Sequence, residues 1–410
     1  MRPGVVIVGA SHAGVQVAIS LREQGYEHPI TLINGEVGLP YQKPPLSKGF
    51  VSGHVDSEQL AFRSADFFEK KSITLLGESW ATKIHRVEKK LAVKSNVKND
   101  TFDIFYDHLV LATGASAKKL EIPGGDLPNV ISVRDLSDAN ALKKIFETAT
   151  NVVIYGAGFI SLEVASITTK MGKNTSIVAR SKSVLTRLFP EILSSFLVER
   201  HQKSGANFIF NSTIESITSN AESATAVHLD SGDILPADIV VIGIGTTVND
   251  QLARDAELSC DNGILIDRNC LTSDSSISAC GDCASWVQIH DNKPTRSESV
   301  QTAVDQAKTI AARLTEKPLP EQTAPWFWTD QVGIKLQMVG DTLDYDDLVV
   351  RGELGSDKFS IIYYRLDAIV RIDSINSPAD HLAARKLVTA RCSVPKDLVI
   401  DLNIKLKTLS

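Results

Sequence analysis

Four groups of residues in this chain have types and spacings that could do chemistry. Gly9, Ser11 and Gly14 follow the β-branched run Val5 to Val8 in "VVIVGASHAG". A glycine-rich turn between a strand and a helix lets backbone N–H groups close on a pyrophosphate, with the positive end of the helix behind them. His12 and Ala13 lie inside this turn, so His12 reads as a turn residue near the pyrophosphate rather than as an acid or base. Glu36 ends the next apolar stretch, "ITLINGE", where a carboxylate can accept hydrogen bonds from a ribose. Gly156 and Gly158 begin a second such turn in "NVVIYGAGFISLEVA", with Ser161 in the third glycine's place. Arg180 and Arg187 lie in "SIVARSKSVLTR", at the end of the strand expected after that turn. Ala179 takes the position of the usual acid, so the repulsion of a 2′-phosphate is absent, and the planar fork of arginine suits a phosphate. This pattern predicts that NADPH is accepted and preferred to NADH. Cys280 and Cys283 form the fourth group, a C-x-x-C.

Each glycine turn must join a buried strand to an apolar-periodic helix and then to a second strand. Both stretches have that plan, which predicts two dinucleotide-binding units, one holding its nucleotide permanently and the other exchanging it. "YDHLVLATGAS" (106–116) and "ADIVVIGIGTTVN" (237–249) read as buried strands ending in glycines that return the chain between the units. "SISACGDCASW" reads as a strand with Gly281 and Asp282 at a helix start, where Asp282 can accept a hydrogen bond from a polyol hydroxyl.

The 410 residues are too many for one core, so two or three domains are expected. A net charge of -6 argues against a nucleic-acid partner. The apolar runs fall far short of the roughly 20 residues that cross a bilayer, and no secretory leader precedes the first strand, so a cytoplasmic protein without membrane insertion is expected. The five cysteines, Cys260, Cys270, Cys280, Cys283 and Cys392, have neither a disulfide framework nor metal-ligand spacing.

"YQKPPLSKGF" (41–50), "ACGDCA", "RSESVQTAVDQAK" (296–308), "APWFWTDQ" (324–331) and "INSPADHLAARKL" (375–387) occur in that order. Together they make the whole chain resemble the flavin-dependent ferredoxin reductases of the putidaredoxin-reductase type. The resemblance implies an α/β protein of glutathione-reductase-like fold. Two Rossmann-like domains bind FAD and NAD(P), and an α+β domain follows. The expected boundaries are 1–116 with 247–325 for FAD, 117–246 for NAD(P)H, and 326–410 for the C-terminal domain, where "KFSIIYYRLDAIVRIDSINS" alternates like antiparallel strands. It implies hydride transfer from NADPH or NADH to FAD, then single electrons to a [2Fe–2S] ferredoxin that serves a cytochrome P-450-type monooxygenase or a ring-hydroxylating dioxygenase. The enzyme is expected as a monomer or weak homodimer. Carried over by position, the FAD ligands are the Gly9 to Gly14 loop, Glu36, Lys48, Ala81, Asp282 and Val300. Lys48 would steady negative charge near flavin N5, Glu163 would point toward the flavin–nicotinamide contact, and Trp328 would border the flavin. The NAD(P) side is expected to use Gly156, Gly158, Ile160, Arg180, Arg187 and Gly245. Arg296 is a candidate for ferredoxin docking.

Three departures stand out. Ser116 replaces an arginine common in the family, Val248 replaces a proline, and Ser11 and Ser161 replace glycines. The competing readings are a disulfide oxidoreductase and a redox sensor resembling apoptosis-inducing factor. Residues 40–60 contain no cysteine, which disfavours the former. Cys280 and Cys283 read as a buried strand position and a small-residue turn around FAD, not as a redox pair. The basic surface and long extra segments of the sensors are missing.

Overall fold

In the computed structural model, which describes residues 3–97, 99–220, 223–287, 294–340 and 343–409, Val5–Val8 is a strand buried along its whole length. Unbroken β-branched residues suit a strand covered on both faces. It is the centre of a five-stranded parallel sheet. Its neighbours are His108–Leu111 and Ile30–Ile33, and the outer strands are Ile277–Ala279 and Ile73–Leu76. Strand order reverses at Val5–Val8, so its carboxyl end opens on a topological switch point. A second parallel sheet repeats the plan around Asn151–Tyr155. There the neighbours are Asn174–Ala179 and Ile239–Ile242, flanked by Ala206–Phe210 and Val130–Ser132.

The chain divides into two compact units. One comprises Met1–Lys43, Asp56–Ser116 and Thr246–Gln322, and contains the first sheet. The other comprises Pro44–Val55, Ala117–Gly245 and Thr323–Ser410, and contains the second sheet. The segment Pro44–Val55, which carries Lys48, packs in the second unit.

The second unit also holds a five-stranded antiparallel sheet from the C-terminal stretch, in the order Trp326–Gln331, Ile334–Val339, Ala368–Ile375, Phe359–Arg365, Asp347–Gly352. Leu366 and Asp367 join two of these strands, both at positive φ, as a tight hairpin between right-twisted strands favours. The two strands are buried almost throughout. Ile362 and Tyr364 share a core with helix Pro378–Thr389, while Phe359 and Tyr363 meet Phe196 and Arg371. The alternation seen in the sequence thus separates two covered faces, not an inner face from an outer one.

One expectation is corrected. Gly281 and Asp282 do not start a helix. Gly281–Cys283 is a single 3₁₀ turn, and the chain re-enters a strand at Ala284–Val287. The helix packed against this turn is Val300–Leu314, which begins after Ser299 accepts a hydrogen bond from the Thr302 N–H. Ser299 is a good N-cap, whereas the residues after Cys283 include Trp286 and Val287, which favour a strand.

The first sheet carries an acid-sensitive group. His108 is buried, its Nε2 2.9 Å from the Ser278 hydroxyl and 3.2 Å from Arg313 Nη2. Burial, aided by the Arg313 charge, pushes its pKa down to about 3. The unfolded chain therefore takes up a proton near pH 6.5 that the folded chain refuses. This contribution to stability is complete above about pH 6.5 and is lost progressively as pH falls toward about 3. Burial also lowers the pKa of His201 and His381, which act in the same sense. Denaturant midpoints are expected to fall between about pH 6.5 and 4, and a His108→Asn variant should show a shallower fall.

Candidate functional site

The two glycine turns have the same geometry. Gly9 donates its N–H to the Ile33 carbonyl at 3.0 Å, and Gly156 donates to Val178 at 2.8 Å. On the facing strand, Ala112 donates to Val8 and Gly243 to Tyr155, each at 2.8 Å. Gly9 has φ 105° and Gly156 φ 115°, and a Cβ on either would lie 2.2 Å from the carbonyl oxygen of Ala112 or Gly243. Both turns therefore need glycine at the first position. The third position differs. In the first turn it is Gly14, where a Cβ would meet the Gly9 carbonyl at 1.8 Å. In the second turn Ser161 is accommodated because the facing residue is Gly243, whose own Cβ would fall 2.0 Å from the Ser161 hydroxyl. The missing side chain has moved to the opposite strand.

Helix His12–Glu23 starts after Ser11 and helix Phe159–Lys170 after Gly158. Neither N-cap makes a side-chain capping bond, and neither first turn contains an acid. Their leading N–H groups are left for an anion, as a dinucleotide pyrophosphate requires. A Cβ at Gly158 or Gly245 would meet nothing within 4 Å, so both border open space. On these grounds the residues fit a nucleotide at each turn.

Around the first turn, Ala13 is buried and the His12 ring stands edge-on to Phe62 at 4.8 Å. Glu36 accepts hydrogen bonds from the Tyr41 hydroxyl and from Lys43, the latter at 2.7 Å. A carboxylate has about four acceptor sites, so capacity for a ribose remains. Ala81 lies at an irregularity in the pairing of strand Ser79–His85. Its neighbour Trp80, which no motif singles out, is 55% exposed with its indole over Gly35. An exposed indole beside Glu36 offers a stacking face for a base. Asp282 lies in the 3₁₀ turn, its carbonyl held by Arg296 Nη1 at 2.9 Å, and Val300 opens the helix packed against that turn. Arg296 also pairs with Glu298 and is largely buried. It is committed to holding this turn, which corrects its candidacy for docking. Ser116 donates to the Asn249 side chain at 2.8 Å, and so ties the two crossover stretches of this unit together.

Around the second turn, Ile160 is 38% exposed, unusual for isoleucine, and lies in the first turn of the helix after Gly158. Ala179 ends its strand buried, and Arg180 and Arg187 follow it exposed, with Lys182 also exposed between them. Among the described residues, neither Arg180 nor Arg187 has an acidic partner. The loop between them is fixed. Leu185 donates its N–H to the Ala157 carbonyl of the glycine turn at 3.1 Å, and the buried Phe189 packs against Phe159 and under the Arg371 guanidinium.

Glu163 is buried on helix Phe159–Lys170 and accepts three groups. Lys48 Nζ lies 2.9 Å from its Oε1, the Thr329 hydroxyl donates to Oε1 at 2.7 Å, and the Ser47 hydroxyl to Oε2 at 2.5 Å. Lys48 is 22% exposed, so the pair joins a buried acid to a cation that still reaches solvent. Such a pair can steady a developing charge without reorganising. Sequence reasoning selected Lys48 and Glu163 separately, and the structure brings them together. It missed Ser47 and Thr329, which carry no signal of their own. Trp328 lies on the strand that carries Thr329, with its ring 5.5 Å from Trp326. The Trp326 indole packs against His381 and under Arg385, half-buried against the C-terminal core.

Cys280 and Cys283 are both completely buried, and burial raises both thiol pKa values. The Cys283 thiol donates to the carbonyls of Leu111 and Cys280. Thiolate chemistry needs the opposite environment. If the activity implied by the sequence resemblance holds, a Cys280→Ala, Cys283→Ala double variant is expected to retain most of it, measured as NAD(P)H-driven reduction of cytochrome c through a ferredoxin.

Among the described residues no helix is long and apolar enough to cross a membrane. The family profile described as "Pyridine nucleotide-disulphide oxidoreductase" matches residues 3–307, and that described as "Reductase C-terminal" matches 326–410. Rhodocoxin reductase of Rhodococcus erythropolis is 37% identical over 403 residues, 98% of this chain and 93% of the relative. The solved ferredoxin reductase for the CYP199A2 system from Rhodopseudomonas palustris is 38% identical with a TM-score of 0.94 over 99% of both chains. Putidaredoxin reductase in its covalent complex with putidaredoxin is 34% identical, also with a TM-score of 0.94, over 99% of this chain and 97% of that one.

Proposed function

The chain belongs to the pyridine nucleotide-disulphide oxidoreductase family, and from that premise we propose that it is an FAD-dependent NAD(P)H–ferredoxin reductase of the putidaredoxin-reductase type. One observation supports the reading within that family: the C-x-x-C thiols are completely buried with their pKa values raised, which disfavours thiolate chemistry, and residues 40–60, where Lys48 pairs with the buried Glu163, contain no cysteine. When bound, FAD accepts a hydride from NAD(P)H and releases electrons singly, which lets a two-electron donor serve a one-electron acceptor.

The roles of the chain's residues follow the family resemblance, supported where stated above by their geometry and chemistry. The N–H groups after Gly9 and Ser11, with His12, Ala13 and Gly14, hold the FAD pyrophosphate. Glu36 takes the adenosine ribose, with Ala81 beside it, and Asp282 and Val300 take the ribityl and flavin end. Gly156, Gly158, Ile160 and Gly245 receive the nicotinamide nucleotide, and Arg180 and Arg187 its 2′-phosphate. Lys48 steadies negative charge on the reduced cofactor, Glu163 holds Lys48, and Trp328 supplies an aromatic wall. The protein contributes position and electrostatics and no nucleophile.

The acceptor carries a [2Fe–2S] cluster and feeds a P-450-type monooxygenase or a ring-hydroxylating dioxygenase. The reductase works in the cytoplasm as a monomer or weak homodimer. Purified protein loaded with FAD is expected to reduce cytochrome c with NADPH only when a [2Fe–2S] ferredoxin is added. Failure with every ferredoxin of the source organism, with FAD bound, would refute the reading.

A further inference from the structure

Behind Glu163 lies a line of buried polar groups that the proposed reaction does not use. Thr329, which donates to Glu163 at 2.7 Å, accepts from Gln331 Nε2 at 3.3 Å. Gln331 Oε1 lies 2.7 Å from His201 Nε2. His201, Gln331, Thr329 and Glu163 are all buried, and they come from two helices and one strand of the same unit. His201 bonds at Nε2, its Nδ1 is buried without a hydrogen-bond partner, and its ring lies edge-on to Phe208.

The hydrogens along this line can point only one way while Glu163 is ionised. The Gln331 carbonyl oxygen only accepts, so His201 Nε2 carries the hydrogen. The Gln331 amide then donates to Thr329, and the single Thr329 hydrogen is left for Glu163. Turning the Gln331 amide over reverses every step. Thr329 would then donate to Gln331, Glu163 would need its own proton to reach Thr329, and His201 would carry its hydrogen on Nδ1, a buried donor with no acceptor.

We propose that His201, Gln331 and Thr329 are positioning residues whose one-way hydrogen-bond chain holds Glu163 as the anion that fixes Lys48. The proposal rests on the reading that the Lys48–Glu163 pair serves the reaction. The charged and titratable groups on Glu163 are Lys48 directly and His201 at the far end of the chain, and Ser47 and Thr329 are neutral donors.

The test uses the FAD-loaded enzyme and two readouts. In ¹⁵N NMR of histidine-labelled protein, His201 is expected as the neutral tautomer with its hydrogen on Nε2. That tautomer should change or become mixed in Glu163→Leu, which has no acceptor for the Thr329 hydrogen, and in Gln331→Leu. A His201 signal unmoved by both Glu163→Leu and Gln331→Leu would overturn the chain, whatever the variants' activity. In steady-state kinetics of NADPH-dependent ferredoxin reduction, kcat/KM should fall in Thr329→Val, which loses the donor to Glu163, and return in Thr329→Ser, which keeps it. A kcat/KM unmoved in Thr329→Val, with Lys48→Met severely impaired, would also overturn it. If Lys48→Met and Glu163→Gln kept full activity, the reading of the pair itself would fail, and the tautomer response would still decide the chain.

Discussion

Lys48→Met is expected to slow NADPH-dependent ferredoxin reduction by about 10- to 1000-fold, the range for removing one charge-stabilising group from a preorganised site. It should also lower stability, for a separate reason. Glu163 would stay buried with only the hydroxyls of Ser47 and Thr329 as donors. Removing one partner of a buried pair costs about 3–5 kcal/mol. Lys48 keeps some contact with solvent, which places the loss toward or below the bottom of that range. The two effects separate in the double variant. Adding Glu163→Gln to Lys48→Met removes the uncompensated charge, so the denaturant midpoint should recover while the rate does not. Stopped-flow kinetics and urea unfolding of the two single variants and the double variant measure this directly. If rate and stability recovered together, the pair would be structural and its assignment to the reaction wrong.

The glycine turns and their strands were legible in the sequence because the constraint is local. A strand must meet a helix through a turn that only small residues permit, and this leaves a pattern within a dozen or so residues. Gly9 and Gly156 meet the same carbonyl geometry that the pattern implies. The exchange of Gly14 for Ser161 could not be understood locally. Its compensation is Gly243, which is far along the chain and adjacent only through strand pairing. The helix expected at Gly281 failed for a related reason. A glycine and an aspartate mark a turn but do not choose between a helix and a strand after it, and Ala284–Val287 favours a strand.

The charge pair lay between these cases. Lys48 and Glu163 were each selected through resemblance, but their contact, and the hydroxyls that complete it, depend on bringing a 3₁₀ turn, a helix and a sheet strand together. Serine and threonine in those places look like any other small polar residues. The same holds for Arg296, whose charge suggested a partner outside the chain and whose neighbours show one inside it. What pairwise spacing can encode was readable, and what three elements encode jointly was not.

Replacing both Arg180 and Arg187 by alanine is expected to shift the ratio of kcat/KM for NADPH over NADH by about 100-fold toward NADH. A charge-assisted contact is worth about 1.5–3 kcal/mol, and both side chains are exposed, so each is taken near the lower figure, about tenfold. The fold adds to what the residue types alone suggest. Ala179 ends the strand where an acid would repel the 2′-phosphate. Arg180 follows at once, and Arg187 rides on a loop pinned to the glycine turn through Leu185 and Ala157 and anchored by Phe189. A fixed loop loses less entropy when an anion is bound, so the arginines are partly preorganised. Because the discriminating group touches only the 2′-phosphate, the loss should fall on NADPH and leave NADH nearly unchanged. Ala179→Glu should act in the same direction by repulsion, without removing either arginine. Steady-state kinetics with both nucleotides on the three proteins give the result. A wild-type ratio strongly favouring NADH, unmoved in the double variant, would mean that both arginines are solvated loop residues and that the nucleotide is chosen elsewhere.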